Sequence, residues 1–276
     1  MIKLNNKLVS FANFPNGETK LVEDSIRKAL SNKNVVTFKY ENDSDLIKLY
    51  ITKKFIDSLE VKSELLVAYM PYSRMDRQEN DSAFTLKYIS EFMNALGFRK
   101  VNIIEPHSDV TPALIDKSKS LYINFDILPQ VLEDIQFDHE KDYIMFPDAG
   151  AAKRYSKLKG MNTVIGHKNR DFLTGEIKGL ELQGNFETGG KKAVIVDDLS
   201  SYGGTFVKSA EALKEQGIEQ VYLLVAHAEN SVFKGKLFDY IDHLYTTDSI
   251  ITEQDHWENA KFKDKLTIYK IEEVVI

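Results

Sequence analysis

The strongest chemical signal in the 276-residue sequence lies in one run, Asp197-Asp198-Leu199-Ser200-Ser201-Tyr202-Gly203-Gly204-Thr205. The run follows the apolar segment 193–196 and precedes a segment with helical spacing, so two acids end a strand and two glycines begin a helix. Backbone N–H groups at such a helix N-terminus bind anions, phosphate among them. The two carboxylates would repel a phosphate that they touched, but they suit neighbouring hydroxyls. The pattern favours a sugar phosphate such as ribose 5-phosphate over its alternative, an ordinary strand–helix turn with an acidic cap.

Four further polar residues stand where ligands are often bound. His107 follows the apolar segment 101–104 and Asp148 follows 143–146, at the carboxyl ends of predicted strands, where ligands of α/β folds gather. Lys168 and Arg170 open a glycine-rich segment, 166–192. Cations on a lid can close over transferring phosphates and stabilise the charge of the transition state. Taken alone, however, the histidine is typical of a structural residue and the two cations of solvated loop residues.

The elements that must position these residues are short strands alternating with helices. Apolar, β-branched runs predict strands at 35–40, 65–70, 101–104, 143–146, 193–196 and 221–226. Helical spacing of apolar residues predicts helices at 46–59, 84–96 and 206–216. This alternation predicts an α/β protein with mainly parallel sheets covered by helices. The long segment 166–192 predicts an active-site lid or an extra hairpin, whereas 77–83 and 109–125 show no regular pattern.

The composition is that of a globular protein with few special features. The 36 basic and 42 acidic residues give a net charge of −6, and there is no cysteine. Disulfides, thiolate zinc sites and cysteine nucleophiles are therefore excluded. The sequence shows no signal peptide and no apolar run long enough for a membrane helix. These features predict a soluble, cytoplasmic protein with neither a nucleic acid nor a membrane as partner.

The chain is long enough for two domains. A change of pattern near residue 125 predicts an N-terminal domain at 1–125 and a C-terminal domain at 126–276. The packing of the last residues, 267–276, back on the first domain is left open.

Several further segments accompany the acid-and-glycine run in a distinctive order. They are Phe14-Pro15-Asn16-Gly17-Glu18-Thr19 with Ser25-Ile26-Arg27, Pro71-Tyr72-Ser73-Arg74-Met75-Asp76-Arg77, Glu105-Pro106-His107-Ser108, Pro147-Asp148-Ala149-Gly150-Ala151-Ala152-Lys153-Arg154 and His167-Lys168-Asn169-Arg170. In this order and spacing they resemble the motifs of the ribose-phosphate diphosphokinases, or phosphoribosyl pyrophosphate synthetases, one branch of the phosphoribosyltransferase fold. The resemblance covers nearly the whole chain and implies two tandem phosphoribosyltransferase-type, Rossmann-like domains.

The resemblance also implies an activity and the residues that carry it. Such an enzyme transfers the diphosphoryl group of Mg²⁺-ATP to the C1 hydroxyl of ribose 5-phosphate, giving phosphoribosyl pyrophosphate and AMP. Mg²⁺ is the implied cofactor, and a homo-oligomer of two or more subunits is implied because the adenine site is shared with an adjacent subunit. The matching positions imply catalysis by Lys168 and Arg170; ATP binding by Phe14, Asn16, Glu18, Arg74, Asp76 and His107; ribose 5-phosphate binding by Asp148, Asp197, Asp198, Ser201, Tyr202, Gly203, Gly204 and Thr205; and metal binding by His107 and Asp148.

The sequence departs from the family pattern in ways that affect regulation more than chemistry. Met75 replaces the usual glutamine of the nucleotide motif, Ser201 stands where aspartate is usual, and Ala151 replaces a glycine. After Arg77 the family has a basic stretch that binds regulatory phosphate or ADP, whereas 78–83 reads Gln-Glu-Asn-Asp-Ser-Ala. Acids in place of bases repel phosphate. We therefore expect a competent enzyme without the usual phosphate and ADP regulation.

Two alternatives to this enzyme stay open. An ordinary phosphoribosyltransferase would need only the C-terminal half, which would leave the matches around Phe14, Arg74 and His107 without a role. A non-catalytic, synthetase-like regulatory subunit is compatible with Met75 and Ser201, but it would not need the retained catalytic and acidic residues.

Overall fold

The computed structural model describes residues 1–170, 177–186, 189–251 and 261–275, with side chains for all of these except 168–170 and 177–179. The chain forms two compact units, Met1–Tyr122 and Ile123–Ile276. Each unit has its own buried apolar cluster. Among the described residues, no helix has both the length and the apolar character needed to cross a bilayer.

The first unit is built around one sheet. Its elements are, in chain order, β1 (Ile2–Leu4), β2 (Lys7–Leu8), β3 (Phe11–Asn13), β4 (Thr19–Leu21), α1 (Glu23–Arg27), β5 (Val35–Phe38), α2 (Ser44–Ser58), β6 (Glu64–Val67), α3 (Thr85–Ala95), β7 (Val101–Ile104), α4 (Val110–Leu114) and β8 (Ser118–Leu121). Six strands pair in the order β2-β1-β5-β6-β7-β8, and β3 and β4 form a separate hairpin. Strands β5 to β8 are parallel, and β1 is antiparallel to both neighbours.

Burial explains which of these elements the sequence predicts. All four residues of β6 are buried, as expected of a central parallel strand covered on both faces. Helices α2 and α3 contribute Leu49, Ile56, Leu86 and Met93 to the same core. Strand β8 reads Ser-Lys-Ser-Leu and lies at the sheet edge with no buried residue. It lacks the apolar run that signals a strand, which is why the segment 109–125 looks irregular in sequence.

The second unit contains a larger sheet. Its elements are α5 (Asn124–Asp134), β9 (Tyr143–Phe146), α6 (Ala149–Arg154), β10 (Asn162–Arg170), β11 (Ile177–Gln183), β12 (Lys192–Ser200), α7 (Gly204–Glu215), β13 (Gln220–Ala228), α8 (Leu237–Tyr240), β14 (His243–Thr247), β15 (Leu266–Tyr269) and α9 (Ile271–Val274). The strand order is β11-β10-β9-β12-β13-β14-β15; among the described strands β10 and β11 pair antiparallel, and the other neighbours pair parallel. The predicted α/β class with mainly parallel sheets is confirmed.

The connections of the second sheet reverse direction between β9 and β12. The chain passes from β9 to β10 on one side, whereas β12 pairs on the other side of β9 and leads outward to β13. Such a switch point opens a crevice at the carboxyl ends of the two strands, where α/β proteins bind ligands. Asp148 follows β9. Asp197 and Asp198 lie near the carboxyl end of β12, which ends at Ser200.

The glycine-rich segment 166–192 begins as a hairpin. Strands β10 and β11 pair with His167 opposite Glu181 and Lys168 opposite Leu180, and the register shifts between Asn169 and Arg170. Of the two predictions for this segment, the hairpin is therefore present in the described residues.

Candidate active site

A buried cluster of three charges lies at the carboxyl end of β12. The Nη1 atom of Arg154 is 2.9 Å from Oδ1 of Asp198 and 3.4 Å from Oδ1 of Asp197. The exposed fractions of the Arg154, Asp197 and Asp198 side chains are 13%, 16% and 7%. The backbone N–H of Asp198 also donates to Oδ1 of Asp197 at 2.9 Å. The acid pair is thus neutralised in part and oriented by the protein itself.

Burial and the neighbouring charges set the protonation of this cluster. Burial raises the pKa of the Asp197 carboxyl well above its usual range, and the charge of Asp198 raises it further, while the Arg154 cation opposes both. For Arg154, burial lowers the pKa, but the Asp198 charge and its neighbours outweigh burial and raise it above the ordinary value. Arg154 is therefore a permanent cation, and it opposes the protonation of Asp197 that burial and the neighbouring Asp198 favour.

Uncharged neighbours hold the same cluster in place. The side-chain amide of Asn124 donates to the backbone oxygen of Asp197 at 2.8 Å and to the Tyr155 hydroxyl at 2.8 Å. The Tyr155 ring is fully buried and stacks on Phe146, the last residue of β9, at a centroid distance of 6.0 Å. The carboxyl ends of β9 and β12 are therefore tied together beneath the acid pair.

The loop after the acid pair leads into the N-terminus of a helix. Gly203 has φ +80°, which glycine adopts without strain, and a Cβ there would lie 2.9 Å from the Leu237 side chain. Helix α7 begins at Gly204, and its first N–H groups have no partner within the helix. A Cβ at Gly204 would meet no atom within 4 Å. There is therefore open space beside Gly204, at the kind of helix N-terminus that can bind a phosphate.

The loop that contains Ser231 and Gly235 packs against the predicted phosphate-binding loop, residues 201–205, which is called the phosphate loop below. A Cβ at Gly235 would lie 2.3 Å from the backbone oxygen of Tyr202. The hydroxyl oxygens of Ser201 and Ser231 are 3.1 Å apart, and Ser231 donates to Oε2 of Glu229 at 3.2 Å. No sequence pattern predicted a role for this loop or for Arg154. The only signals in sequence are the glycine at 235 and an arginine that ends the motif after Asp148.

Asp148 begins helix α6 at the neighbouring strand end. Its Oδ1 accepts a hydrogen bond from the backbone N–H of Ala151 at 3.0 Å, which caps the helix. Asp148 follows β9, and the acid pair lies near the end of β12, the parallel neighbour of β9. The structure therefore brings the predicted sugar-phosphate residues to one edge of the second sheet.

Three of the predicted nucleotide residues occupy the carboxyl edge of the first sheet. Arg74 and Asp76 follow β6, and His107 follows β7, its parallel neighbour. Tyr72 and Glu105, just before them, have φ of +60° and +38°, the left-handed region that side chains rarely adopt. Strained backbone of this kind is concentrated at functional sites.

A shared carboxylate braces the first of these loops. The hydroxyls of Tyr40 and Tyr72 both donate to Oδ1 of Asp43, at 2.6 and 2.5 Å. The two rings also pack against each other, with centroids 6.2 Å apart. Asp43 thereby fixes the strained Tyr72 that precedes Arg74.

In the stretch after Arg77, where the sequence lacks the basic residues expected of a regulatory anion site, acidic side chains of the protein itself contact Arg77. The Nε of Arg77 lies 3.1 Å from Oε1 of Glu79 and 3.7 Å from Oδ1 of Asp76. A groove of about 390 Å³ runs beside them, lined by Arg74, Met75, Arg77, Glu79, Ser82, Ala83 and Thr85. An incoming anion would have to compete with Glu79 for the Arg77 guanidinium.

The predicted adenine contacts form the turn of the β3–β4 hairpin. The backbone N–H of Phe14 donates to the oxygen of Glu18 at 2.8 Å, and Oδ1 of Asn16 accepts from the N–H of Glu18 at 3.2 Å. The Phe14 side chain is half exposed. This turn belongs to a two-stranded sheet of its own, separate from the edge that carries Arg74 and His107.

The two predicted catalytic cations lie on β10. The backbones of Lys168 and Arg170 pair with Leu180 and Ile177, but their side chains lie outside the described part of the chain.

Relatives of known name and structure support one family. No protein-family model matches the chain. The ribose-phosphate pyrophosphokinase of Saccharolobus solfataricus is 30% identical over 233 residues, which span 82% of this chain and 77% of that protein. That of Campylobacter jejuni is 30% identical over 76% of this chain and 68% of its own length. The crystal structure of phosphoribosylpyrophosphate synthetase from Mycobacterium smegmatis has a TM-score of 0.73 and covers 98% of this chain, with 88% of its own chain matched, at 18% identity.

The fold and the acid-and-glycine loop define an α/β protein of the phosphoribosyltransferase type. Within that class, the chain belongs to the ribose-phosphate pyrophosphokinase family. The predicted family membership is therefore confirmed.

Proposed function

We propose that the chain is an active ribose-phosphate pyrophosphokinase, which transfers the diphosphoryl group of ATP to the C1 hydroxyl of ribose 5-phosphate and releases AMP. The observation that carries the proposal is the pairing of Asp197 and Asp198 with the α7 N-terminus at the switch point of the second sheet. One end of this site accepts hydroxyl hydrogen bonds and the other binds a phosphate, which matches the two ends of the sugar substrate.

The sugar phosphate would be held between these two groups. Asp197 and Asp198 accept hydrogen bonds from the ribose hydroxyls. The backbone N–H groups of Gly203, Gly204 and Thr205, with the side chains of Thr205 and Ser201, bind the phosphate. Tyr202, whose side chain is 61% exposed, flanks the entrance.

ATP would be bound without a Walker loop. Arg74, Asp76 and His107 contact its phosphates and sugar, and Phe14, Asn16 and Glu18 of an adjacent subunit enclose the adenine. The half-exposed Phe14 ring at a hydrogen-bonded turn supports this use, since an aromatic face stacks on a base. A homo-oligomer is therefore part of the proposal.

The donors available to Mg²⁺ suit an ion that enters with the nucleotide. Asp148 offers the carboxylate oxygen that Mg²⁺ prefers, whereas His107 offers a ring nitrogen and would act through water or on a phosphate. Within the described residues, no group of three His, Asp or Glu side chains is arranged to hold an ion. Mg²⁺ is often held by one or two carboxylates and substrate phosphates. When bound, it supplies neutralisation of phosphate charge.

The transfer itself would rely on positioning and charge. Phosphoryl transfer needs in-line alignment and stabilisation of the equatorial oxygens rather than a protein nucleophile. Lys168 and Arg170, on β10 next to β9, supply the positive charge.

One assay tests the activity. The purified chain is incubated with Mg²⁺, ATP and ribose 5-phosphate, and AMP and phosphoribosyl pyrophosphate are measured together. We expect both products in equal amounts, and none with the double variant Asp197→Asn/Asp198→Asn. The absence of AMP over a range of metals and pH would contradict the proposal in favour of a regulatory subunit. Base-dependent pyrophosphate release without ATP consumption would instead indicate a phosphoribosyltransferase.

Replacing the Asp148 carboxylate should separate its two tasks. Asparagine caps helices as well as aspartate does, so Asp148→Asn should change the free energy of unfolding by less than about 0.5 kcal/mol. We expect the Mg²⁺ concentration for half-maximal AMP formation to rise at least tenfold, because a charged ligand is lost. Asp148→Ala should also lose the cap, at a cost of about 1 kcal/mol. An unchanged Mg²⁺ dependence in Asp148→Asn would exclude Asp148 as a metal ligand.

Regulation by phosphate and ADP should be absent. Because Glu79 and Asp76 already hold Arg77, we expect activity without added phosphate and only competitive inhibition by ADP against ATP. Neither Glu79→Gln nor Asp81→Asn should lower kcat. Glu79→Gln should make the activity more sensitive to added phosphate or ADP than Asp81→Asn does, because Glu79 contacts Arg77. Non-competitive inhibition of the wild type by millimolar ADP would contradict this prediction.

A further inference from the structure

The acid pair, Asp197 and Asp198, contacts a cation, Arg154, that has no part in the proposed function above. Arg154 ends α6, the short helix that Asp148 begins, and its guanidinium reaches the end of β12. Its Nη1 atom lies 2.9 Å from a carboxylate oxygen of Asp198 and 3.4 Å from one of Asp197. The guanidinium therefore lies where it partly neutralises both carboxylates.

A contribution to folding stability does not by itself explain a cluster of three charged side chains with so little exposure to solvent. Removing charges from water costs several kcal/mol per ion, and apolar replacements of buried ion pairs are often neutral or stabilising. All three side chains are at most 16% exposed. The cluster also lies at the switch point of the sheet rather than in the apolar core. Its place and its cost both suggest that it serves substrate binding.

The geometry around Arg154 is rigid enough to orient the acids. Tyr155, the next residue, is buried against Phe146 and Phe125, and Asn124 bonds both the Tyr155 hydroxyl and the Asp197 backbone. Movement of α6 would therefore disturb the guanidinium and the acid pair together.

We propose that Arg154 is a positioning residue for sugar recognition: it supplies the countercharge of Asp197 and Asp198 inside the protein and turns both carboxylates toward the ribose hydroxyls, so that the pair acts as a hydroxyl acceptor and not as a metal site. The inference rests on the proposed binding of ribose 5-phosphate at this edge. Arg154 does not contact the reacting atoms in this account. It acts through the two acids.

The consequence is a specific link between Arg154 and the sugar hydroxyls. A hydrogen bond from a hydroxyl to a charged acceptor contributes roughly 1.5–3 kcal/mol, or about ten- to a hundredfold in affinity. We therefore expect the wild type to bind ribose 5-phosphate at least tenfold more tightly than 2-deoxyribose 5-phosphate. Loss of the guanidinium should reduce this ratio, whereas a merely structural role would weaken both sugars equally.

The experiment measures the dissociation constants of the two sugar phosphates by calorimetry, and the KM for ATP, in three variants. Arg154→Lys keeps the positive charge but replaces the planar guanidinium by a single ammonium group. Arg154→Met removes the charge. Arg154→Met/Asp197→Asn also removes the acid that would be left uncompensated, so that at least one charge-removed variant folds. Lys153→Met, which removes the exposed cation next to Arg154 on the same helix, is the matched control.

We expect the sugar ratio to fall to within about threefold of unity in Arg154→Lys and Arg154→Met, with the KM for ATP nearly unchanged, and to stay at the wild-type value in Lys153→Met. The double variant lacks an acceptor as well, so it shows only that the protein folds without the Arg154 charge. We also expect Arg154→Met to bind Mn²⁺ without nucleotide, which the wild type should not do at the acid pair. A wild-type ratio retained in the folded Arg154 variants would overturn this inference alone. A wild type that binds neither sugar phosphate would overturn the proposed function and this inference with it.

Discussion

Gly235→Ala should destabilise the second unit and abolish tight binding of ribose 5-phosphate. A Cβ at this position would lie 2.3 Å from the backbone oxygen of Tyr202, so the loop that contains Gly235 and the phosphate loop would have to separate. Overpacking of this kind costs about 1–3 kcal/mol of the free energy of unfolding. We expect a comparable loss in urea denaturation and a rise of at least tenfold in the KM for ribose 5-phosphate.

The neighbouring Gly204 provides the control for this substitution. A Cβ there meets no atom within 4 Å and requires no unusual φ. Gly204→Ala should keep the wild-type stability but raise the KM for ribose 5-phosphate, because its methyl group enters the space proposed for the phosphate. If Gly235→Ala matched the wild type in both measurements, the loop that contains Gly235 would not support the phosphate loop as described.

Lys168→Ala should lower kcat about a thousandfold, which is the scale of losing one charged group that stabilises a phosphoryl-transfer transition state. The KM values for both substrates should change by only a few-fold, since the cation is proposed to act mainly on the transition state. Steady-state kinetics with both substrates varied would separate the two effects.

Lys157→Ala is the matched control for this prediction, because Lys157 is an exposed lysine of the same unit. It should retain the wild-type kcat and stability. Full turnover by Lys168→Ala would remove Lys168 from the catalytic residues, and a proportionate rise in KM would assign it to substrate binding instead.

The central strands could be predicted because burial leaves a clear mark on sequence. The predicted bounds of β7 and β9 coincide with those observed, since both are short apolar runs in the middle of a parallel sheet. The sequence pattern also predicted that Asp148 follows a strand and that Asp197 and Asp198 end one, whereas their common site was implied by the family resemblance.

Other parts of the site depend on contacts that no local pattern encodes. Arg154 and Asp198 are far apart in sequence and meet because α6 packs beside β12. Asn124, at the start of α5, bonds to the backbone of Asp197 in the same way. Strand β8 is short, polar and at an edge, so neither length nor hydrophobicity marks it. Propensity describes neighbours along the chain, whereas these features arise from packing.

The position of each strand within the second sheet should also govern how its amides exchange with solvent. Strand β12 has a partner on both sides and four consecutive fully buried residues before Asp197, whereas β11 lies at the edge of the sheet formed by the described strands. Amide protons of β12 should therefore require opening of the whole unit to exchange in D₂O, while those of β11 should exchange through local fraying. Asp197 and Asp198, which are proposed to bind the sugar, would then belong to the strand whose amides exchange most slowly. Lys168 and Arg170, which are proposed to bind the transferred phosphates, lie on β10, next to the rapidly exchanging β11.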